Sequence, residues 1–209
     1  MLALNGELVV LKNSTSIAFN SVSNPYDVTY PEWTIMWWRW IMAFPRSCNP
    51  AFDLSGSECA KDQNNMNVWF LAGTVMPLSS ANRECVIPQG KAILLPIINN
   101  LVSYIEYPDL KSDNQLRAVA GRDYRLGVEF HLAIDGLVLS HEICRIATSP
   151  FEIEYPDGNL FGAKPGFTRA VSDGFWIFLT PLSQGMHSLY FSARDIKYLT
   201  EVNYTIHIE

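Results

Sequence analysis

Bulky apolar side chains recur at helical spacing near the start of the chain. They lie three or four positions apart, at Trp33, Met36, Trp37, Trp40, Ile41 and Phe44. This spacing places them on one side of an α-helix. Thr29 and Glu32 fit a capping box at its start, and Pro45 fits its end. The pattern predicts a helix over residues 31–44 whose tryptophan-rich side packs on a larger body.

The clearest strand pattern is a strict alternation of apolar and polar residues over 125–135. Its apolar members are Leu126, Val128, Phe130, Leu132 and Ile134. Alternation of this kind is typical of a strand with one buried and one solvated face. Asp135 and Gly136 suit a two-residue turn, so residues 137–143 are predicted to return as the partner strand.

Further segments are predicted as strands, at residues 7–11, 68–73, 92–98, 151–155, 175–180, 187–193 and 202–208. Segments 92–98 and 175–180 are apolar at both alternate positions, which is typical of central strands. A short helix is predicted at 112–120 from Leu116, Val119 and Ala120. Short strands separated by glycine and proline turns favour a single jelly-roll-like β-sandwich domain over residues 1–209.

Composition narrows the class of protein. The chain has 209 residues, 48% of them hydrophobic, and a net charge of −6. Its apolar runs fall far short of the roughly 20 residues of a membrane-spanning helix, and its acidic balance argues against nucleic-acid binding. Residues 1–11 lack the basic and apolar regions of a secretory signal, which predicts a cytosolic or already processed chain. A soluble globular domain remains.

The chain contains four cysteines, Cys48, Cys59, Cys85 and Cys144. No Cys-x-x-Cys pair occurs, so a zinc site built on thiolates is not predicted. Three pairings are open if all four cysteines are oxidised. The short loops Cys48–Cys59 and Cys59–Cys85 are the first candidates.

The predicted hairpin brings polar residues together. A two-residue turn at 135–136 places His131 opposite Ser140 and Glu129 opposite Glu142 on the solvated face. Such a centre would suit a small hydrolase or cyclase in which His131 acts as a general base, or it would hold a hard cation. The alternative is an exposed strand face with ordinary polar residues.

A second group follows the buried strand at 92–98. Asn99, Asn100 and Glu106 come after it, where loop residues often line a pocket. Asn99 and Glu106 offer the oxygen ligands of a structural calcium site. The alternative is that the asparagines cap a turn and Glu106 meets a basic side chain.

Aromatic residues are the third group of candidate binding residues. Trp38 points away from the main stripe of the predicted helix, and Tyr107 lies beside a loop. Exposed rings near amides suit a sugar ring or another flat small molecule. Packing in the core or at its rim explains them equally well.

The histidines outside the hairpin centre are assigned structural roles. His187 is predicted at the edge of the core with a satisfied ring nitrogen, because it shares a strand face with Leu189. His141 is predicted on the core side, and His207 is predicted to be solvated.

Several segments resemble a family of bacterial and archaeal proteins, many of which carry signal peptides. The similarity lies in the tryptophan-rich helix and in residues 49–53, 67–74, 83–91, 96–99, 106–108 and 173–176, and it spans nearly the whole chain. The resemblance implies an extracytoplasmic β-rich domain with a disulfide between Cys59 and Cys85. It implies no activity.

Taken together, the sequence favours a binding or structural module that is stabilised by calcium and a disulfide. The first alternative is the small enzyme built on Glu129, His131, Ser140 and Glu142. The second is an oligomeric surface or shell component, in which edge strands and surplus aromatic rings form interfaces between copies.

Overall fold

A computed structural model describes residues 16–75, 80–122, 124, 127–195 and 198–209. Its helices are α1 (Tyr30–Met42) and α2 (Asp113–Ala120). Its strands are β1 (Val68–Phe70), β2 (Ser80–Ile87), β3 (Ala92–Ser103), β4 (Glu129–Ile134), β5 (Leu137–Val138), β6 (Cys144–Ala147), β7 (Phe151–Tyr155), β8 (Gly166–Leu179), β9 (Gly185–Arg194) and β10 (Leu199–Ile208).

The strands form two five-stranded sheets. Sheet I has the order β1-β3-β8-β6, with β7 also paired to β8, and sheet II has the order β2-β10-β9-β4-β5. The pairs β1–β3 and β2–β10 are parallel, and the other pairs are antiparallel. Apolar side chains from the inner faces of both sheets share one core, which includes Ile93, Ile177, Phe191 and Ile206. The β-sandwich predicted from the sequence is confirmed.

Helix α1 forms a third layer on the opposite face of sheet I. Trp37 packs edge to face on Trp176 with ring centroids 5.2 Å apart, and Trp33 packs on Phe178 at 5.8 Å. The predicted capping box is present, because Glu32 accepts a hydrogen bond from the backbone N–H of Thr29 and donates its own N–H to the Thr29 hydroxyl. The predicted tryptophan-rich helix is therefore confirmed.

The 125–143 prediction is only half correct. Strand β4 and the two-residue turn are present, with positive φ angles of 50° at Asp135 and 79° at Gly136. The partner strand, however, ends at Val138, and the chain enters a short 3-10 helix at Ser140–Glu142. Residues 125 and 126 lie outside the described residues.

Most of the remaining strand predictions are confirmed with shifted ends. Strand β3 continues to Ser103, well beyond the predicted 92–98, and 175–180 is the second half of the longer β8. The predicted short helix is α2, capped by Ser112. Strands β2 and β6 were not predicted, and segment 7–11 lies outside the described part of the chain.

A loop covers the outer edge of β2. The N–H of Glu84 donates to the Ser55 carbonyl at 2.8 Å, and Cys59 is disulfide-bonded to Cys85. Gly56 lies so close to β2 that a Cβ would come within 2.1 Å of the Glu84 carbonyl oxygen. The Cys59–Cys85 pairing implied by the resemblance is thus present, and Cys48 and Cys144 are free thiols.

Candidate functional site

A cavity of about 470 Å³ lies along β3, beyond the end of β1. Strand β1 pairs with β3 only as far as Leu94. From 95 to 103, β3 has β8 on one side and, among the described strands, no neighbour on the other. The unpaired side of this segment, called here the β3 edge, forms the floor of the cavity.

Consecutive residues of β3 line the floor, from Pro96 to Val102. Side chains of a strand alternate between its two faces, so a cavity on one face would be lined by every second residue. Lining by seven consecutive residues shows that the cavity runs along the strand edge. A bulge between Pro96 and Ile98 shifts the register with β8 at this place.

The walls come from both sides of sheet I. On the helix side they include Trp37, Trp38, Leu160 and Phe161, and on the sheet II side they include Val119, Arg122, Asp195, Tyr198 and Thr200. Leu160 is buried, whereas the Phe161 side chain is partly exposed at the rim. The walls are thus mainly apolar and aromatic, with a few polar groups.

All of the residues predicted for binding line this one cavity. They are Trp38, Asn99, Asn100, Glu106 and Tyr107. They were predicted from three different features of the sequence, namely a helix pattern, the end of a buried strand and a loop. The fold brings them together because β3 runs on past β1 and α1 lies across it.

Trp38 is buried, contrary to the expectation that it points away from the packed side of the helix. It is only 3% exposed, and Met36 from the predicted stripe is 38% exposed. The indole N–H of Trp38 donates to the Ser172 hydroxyl at 2.6 Å, and its ring lies 6.2 Å from that of Phe161. Sheet I wraps around more of α1 than a single stripe predicts, so Trp38 forms a fixed wall.

The two asparagines have different surroundings. The side-chain nitrogen of Asn100 donates to the Ala120 carbonyl at 3.1 Å, which ties β3 to α2. The side-chain nitrogen of Asn99 is buried and has no hydrogen-bond partner among the described residues. Gly174 lies opposite Asn99, where a Cβ would come within 2.4 Å of the Asn99 Cβ. Asn99 therefore lines the cavity and has a buried donor beneath the cavity surface that no described residue uses.

The Glu106 carboxyl is already engaged. One of its oxygens accepts hydrogen bonds from Tyr155 at 2.7 Å and from Ser103 at 3.1 Å. Burial raises the pKa of Glu106 above its ordinary value, although these hydrogen bonds oppose the shift. A carboxyl whose charged form is disfavoured is a weak calcium ligand.

The described residues also contain no group of three or more His, Cys, Asp and Glu side chains that could hold a metal ion. Asn99 and Glu106, the predicted calcium ligands, line one cavity without further carboxylates arranged around a common point.

The predicted hairpin centre does not form. Glu129 and His131 lie on the exposed outer face of sheet II, where they pair with Arg194 and Ser192 of β9. Ser140 leaves the sheet, and its hydroxyl accepts the N–H of Leu132. The predicted pairing of Ile134 with Leu137 is present, but the partner strand stops at Val138, because the Ser140 hydroxyl takes the backbone donor that a longer returning strand would use.

Glu142 lies in the same 3-10 helix, beside His141 at 3.3 Å. The side chain of His141 is 71% exposed, so its predicted place on the core side is also wrong. His207, predicted to be solvated, bonds to Glu84 at 2.8 Å. None of these residues faces the cavity.

His187 is held at both ring nitrogens, which confirms its predicted structural role. One nitrogen lies 2.6 Å from an Asp135 oxygen and the other lies 2.9 Å from the Ser183 carbonyl. Burial opposes protonation of His187, but the bonds to Asp135 and Ser183 outweigh it and raise its pKa.

Sequence reasoning missed the residues that fix the cavity rim. Tyr198 donates to the Thr74 carbonyl at 2.6 Å, and the Thr74 and Thr200 hydroxyls are 2.7 Å apart. The guanidinium of Arg83, which is 3% exposed, donates to the Gly73 carbonyl at 3.1 Å. These contacts join the segment after β1 to sheet II, and no local pattern in the sequence signals them.

Comparison with known proteins adds no assignment. No protein-family model matches the chain, and a search of curated proteins finds no match. Among the described residues, no helix is long and apolar enough to cross a membrane.

Proposed function

We propose that this protein is a non-catalytic binding module whose ligand occupies the cavity along the β3 edge. The observation that carries the proposal is the mainly apolar, aromatic-lined cavity itself, beside which the side-chain nitrogen of Asn99 has no hydrogen-bond partner among the described residues. Its volume of about 470 Å³ falls within the range of roughly 300 to 1,000 Å³ typical of small-molecule sites. A ligand with a flat apolar face and a hydrogen-bond acceptor fits these walls.

Two further features support the proposal. The first bears on the compartment, which we propose lies outside the cytoplasm, and the second on the non-catalytic role. The Cys59–Cys85 disulfide is of a kind that forms and persists in oxidising compartments. The residues considered for catalysis lie on the outer face of sheet II or in the 3-10 helix, away from the cavity. The proposed site therefore relies on shape and hydrogen bonding.

The test uses 8-anilinonaphthalene-1-sulfonate, a fluorescent aromatic anion, as the probe for the folded protein. We expect one molecule to bind per chain, with energy transfer from tryptophan because Trp37 and Trp38 line the cavity. Leu160→Trp would fill the cavity, and Phe161→Ala would remove a rim ring without opening the core. Each should weaken probe binding by about tenfold.

Phe167→Ala is the matched control. Phe167 is 77% exposed and lines a different hollow, near Arg39 and Pro156. The proposal fails if the folded protein does not bind the probe, or if Phe167→Ala abolishes binding while both cavity variants keep it. Circular dichroism of each variant shows whether it is folded, and Phe161→Ala decides the matter if Leu160→Trp is not.

A further inference from the structure

The β3 edge presents to the cavity backbone groups that have no strand partner among the described residues. The Ser103 carbonyl accepts the N–H of Tyr107, and the N–H of Tyr104 donates to Arg169 in β8. The backbone N–H and C=O groups of Ser103 therefore point away from β8. Along a strand, these groups alternate between its two sides from one residue to the next. Counting back by two places the backbone N–H and C=O groups of Leu101 and Asn99 toward the cavity.

Two edges of sheet II are protected in ways that the β3 edge is not. The outer edge of β2 is covered by the loop through Ser55, and β5 is only two residues long. Natural sheets commonly protect their edges by covering or shortening them. The β3 edge instead forms the floor of a cavity.

We propose that the cavity receives an extended peptide segment that carries a carboxylate and adds to sheet I as a strand beside β3. This inference rests on the proposed function, because it names the ligand class of the same cavity. Backbone hydrogen bonds to Asn99 and Leu101 supply affinity, and alternate peptide side chains enter the two walls. The floor from Pro96 to Val102 is about 20 Å long at the usual strand rise of about 3.3 Å per residue, which matches about six peptide residues.

The charge preference comes from Arg46. This exposed arginine lines the cavity, its guanidinium lies 4.8 Å from the centre of the Phe52 ring, and it forms no ion pair with any described residue. Arg122 and Asp195, which carry opposite charges, line the far wall, and one oxygen of Glu106 already accepts hydrogen bonds from Tyr155 and Ser103. Arg46 therefore offers a peptide carboxylate a cation that no described side chain pairs with.

The experiment screens a pooled library of acetylated, amidated hexapeptides against the folded protein by fluorescence polarisation. The best-binding peptides should contain Asp or Glu, and replacing that residue by Lys should weaken binding by about tenfold. Arg46→Gln should remove this preference. Arg39→Gln is the matched control, because Arg39 is an exposed arginine outside the cavity that bonds to the Glu152 carbonyl.

Strand addition can be tested separately from charge preference, because it requires backbone hydrogen bonds between the peptide and β3. Two versions of the best peptide carry N-methyl groups at odd or at even residues. We expect one version to lose binding and the other to keep it, because only alternate amides face β3. Amide hydrogen exchange measured by NMR should slow by about tenfold at Asn99 and Leu101 when the peptide binds.

The outcomes separate the two proposals. If the anilinonaphthalene probe binds the cavity but no peptide in the library does, the peptide inference is wrong and the binding function stands. The peptide inference is equally wrong if both methylated peptides bind with the same affinity, or if oligosaccharides displace the probe and peptides do not. If neither the probe nor any peptide binds, both proposals are wrong.

Discussion

Arg83 shows how one buried residue joins the two sheets. Its guanidinium donates to the Asp53 carbonyl at 2.7 Å, to the Tyr204 hydroxyl at 2.8 Å and to the Gly73 carbonyl at 3.1 Å. No carboxylate of the described residues pairs with it, so its charge is stabilised by backbone oxygens and by the ring of Tyr204. These acceptors come from three separate parts of the chain, and Gly73 lies at the cavity rim.

We expect Arg83→Met to lower the free energy of unfolding by about 3 kcal/mol. Methionine fills a similar volume, but several buried acceptors lose their donor. Urea unfolding followed by circular dichroism measures the change. Arg39→Met, at an exposed site, should cost less than about 0.5 kcal/mol, and a loss below about 1 kcal/mol for Arg83→Met would contradict the assigned role.

At the scale of single elements, local signals were read correctly from the sequence. Helix α1 was predictable because its capping box, its apolar spacing and Pro45 all lie within one segment. The turn at Asp135 and Gly136 was predictable for the same reason. The path of the chain after this turn was not predictable, because it depends on whether the Ser140 hydroxyl or a backbone carbonyl accepts the N–H of Leu132.

The cavity was only partly predictable. Asn99 and Asn100 were found because they follow a buried apolar run, and Tyr107 because it lies beside a loop. Their convergence with Trp38 depends on how α1 crosses sheet I, which is a tertiary property. Arg46, which forms no ion pair with any described residue, had no local pattern to mark it.

The hairpin gives a prediction about pH. The turn residue Asp135 is tied to His187 on β9. Burial alone would raise the pKa of Asp135, but hydrogen bonds from His187 and from the N–H of Ser188 lower it overall. Because the pKa of His187 is raised in the folded state, protonated His187 stabilises the fold below the ordinary histidine pKa of about 6.5. This stabilisation is lost as pH rises through the pKa that His187 has in the folded state. Because the pKa of Asp135 is lowered in the folded state, ionised Asp135 stabilises the fold above the ordinary aspartate pKa of about 3.9. This stabilisation is lost as pH falls through the lowered pKa.

Both contributions are therefore present between about pH 4 and pH 6.5. We expect the stability difference between the unaltered protein and His187→Gln to be largest in this window and to shrink toward pH 8.5. Urea midpoints at a series of pH values measure it. His207→Gln serves as the control for a general effect of removing an imidazole, since His207 bonds to Glu84 on the outer face of sheet II. A difference that grows between pH 6.5 and pH 8.5 would overturn this account.

At the scale of the whole molecule, sheet I is covered on both faces. Its inner face packs on sheet II, and its other face packs on α1. Trp176 and Phe178 on the helix-facing side are fully buried. Without α1 these rings would be exposed to water, so the sandwich and the helix depend on each other for stability.

This arrangement predicts that the three layers unfold together. Trp37 is 3% exposed, packs on Trp176 and donates its indole N–H to the Leu71 carbonyl at 2.8 Å. Trp37→Ala should therefore cost about 4 kcal/mol, while Met36→Ala on the exposed side of the same helix should cost less than about 1 kcal/mol. Tryptophan fluorescence, which reports mainly on the α1 layer, and far-UV circular dichroism, which reports on the sheets, should give one shared unfolding midpoint in each protein. If the fluorescence transition came first, α1 would be a separable layer, and the helix-side wall of the cavity could open while both sheets remained folded.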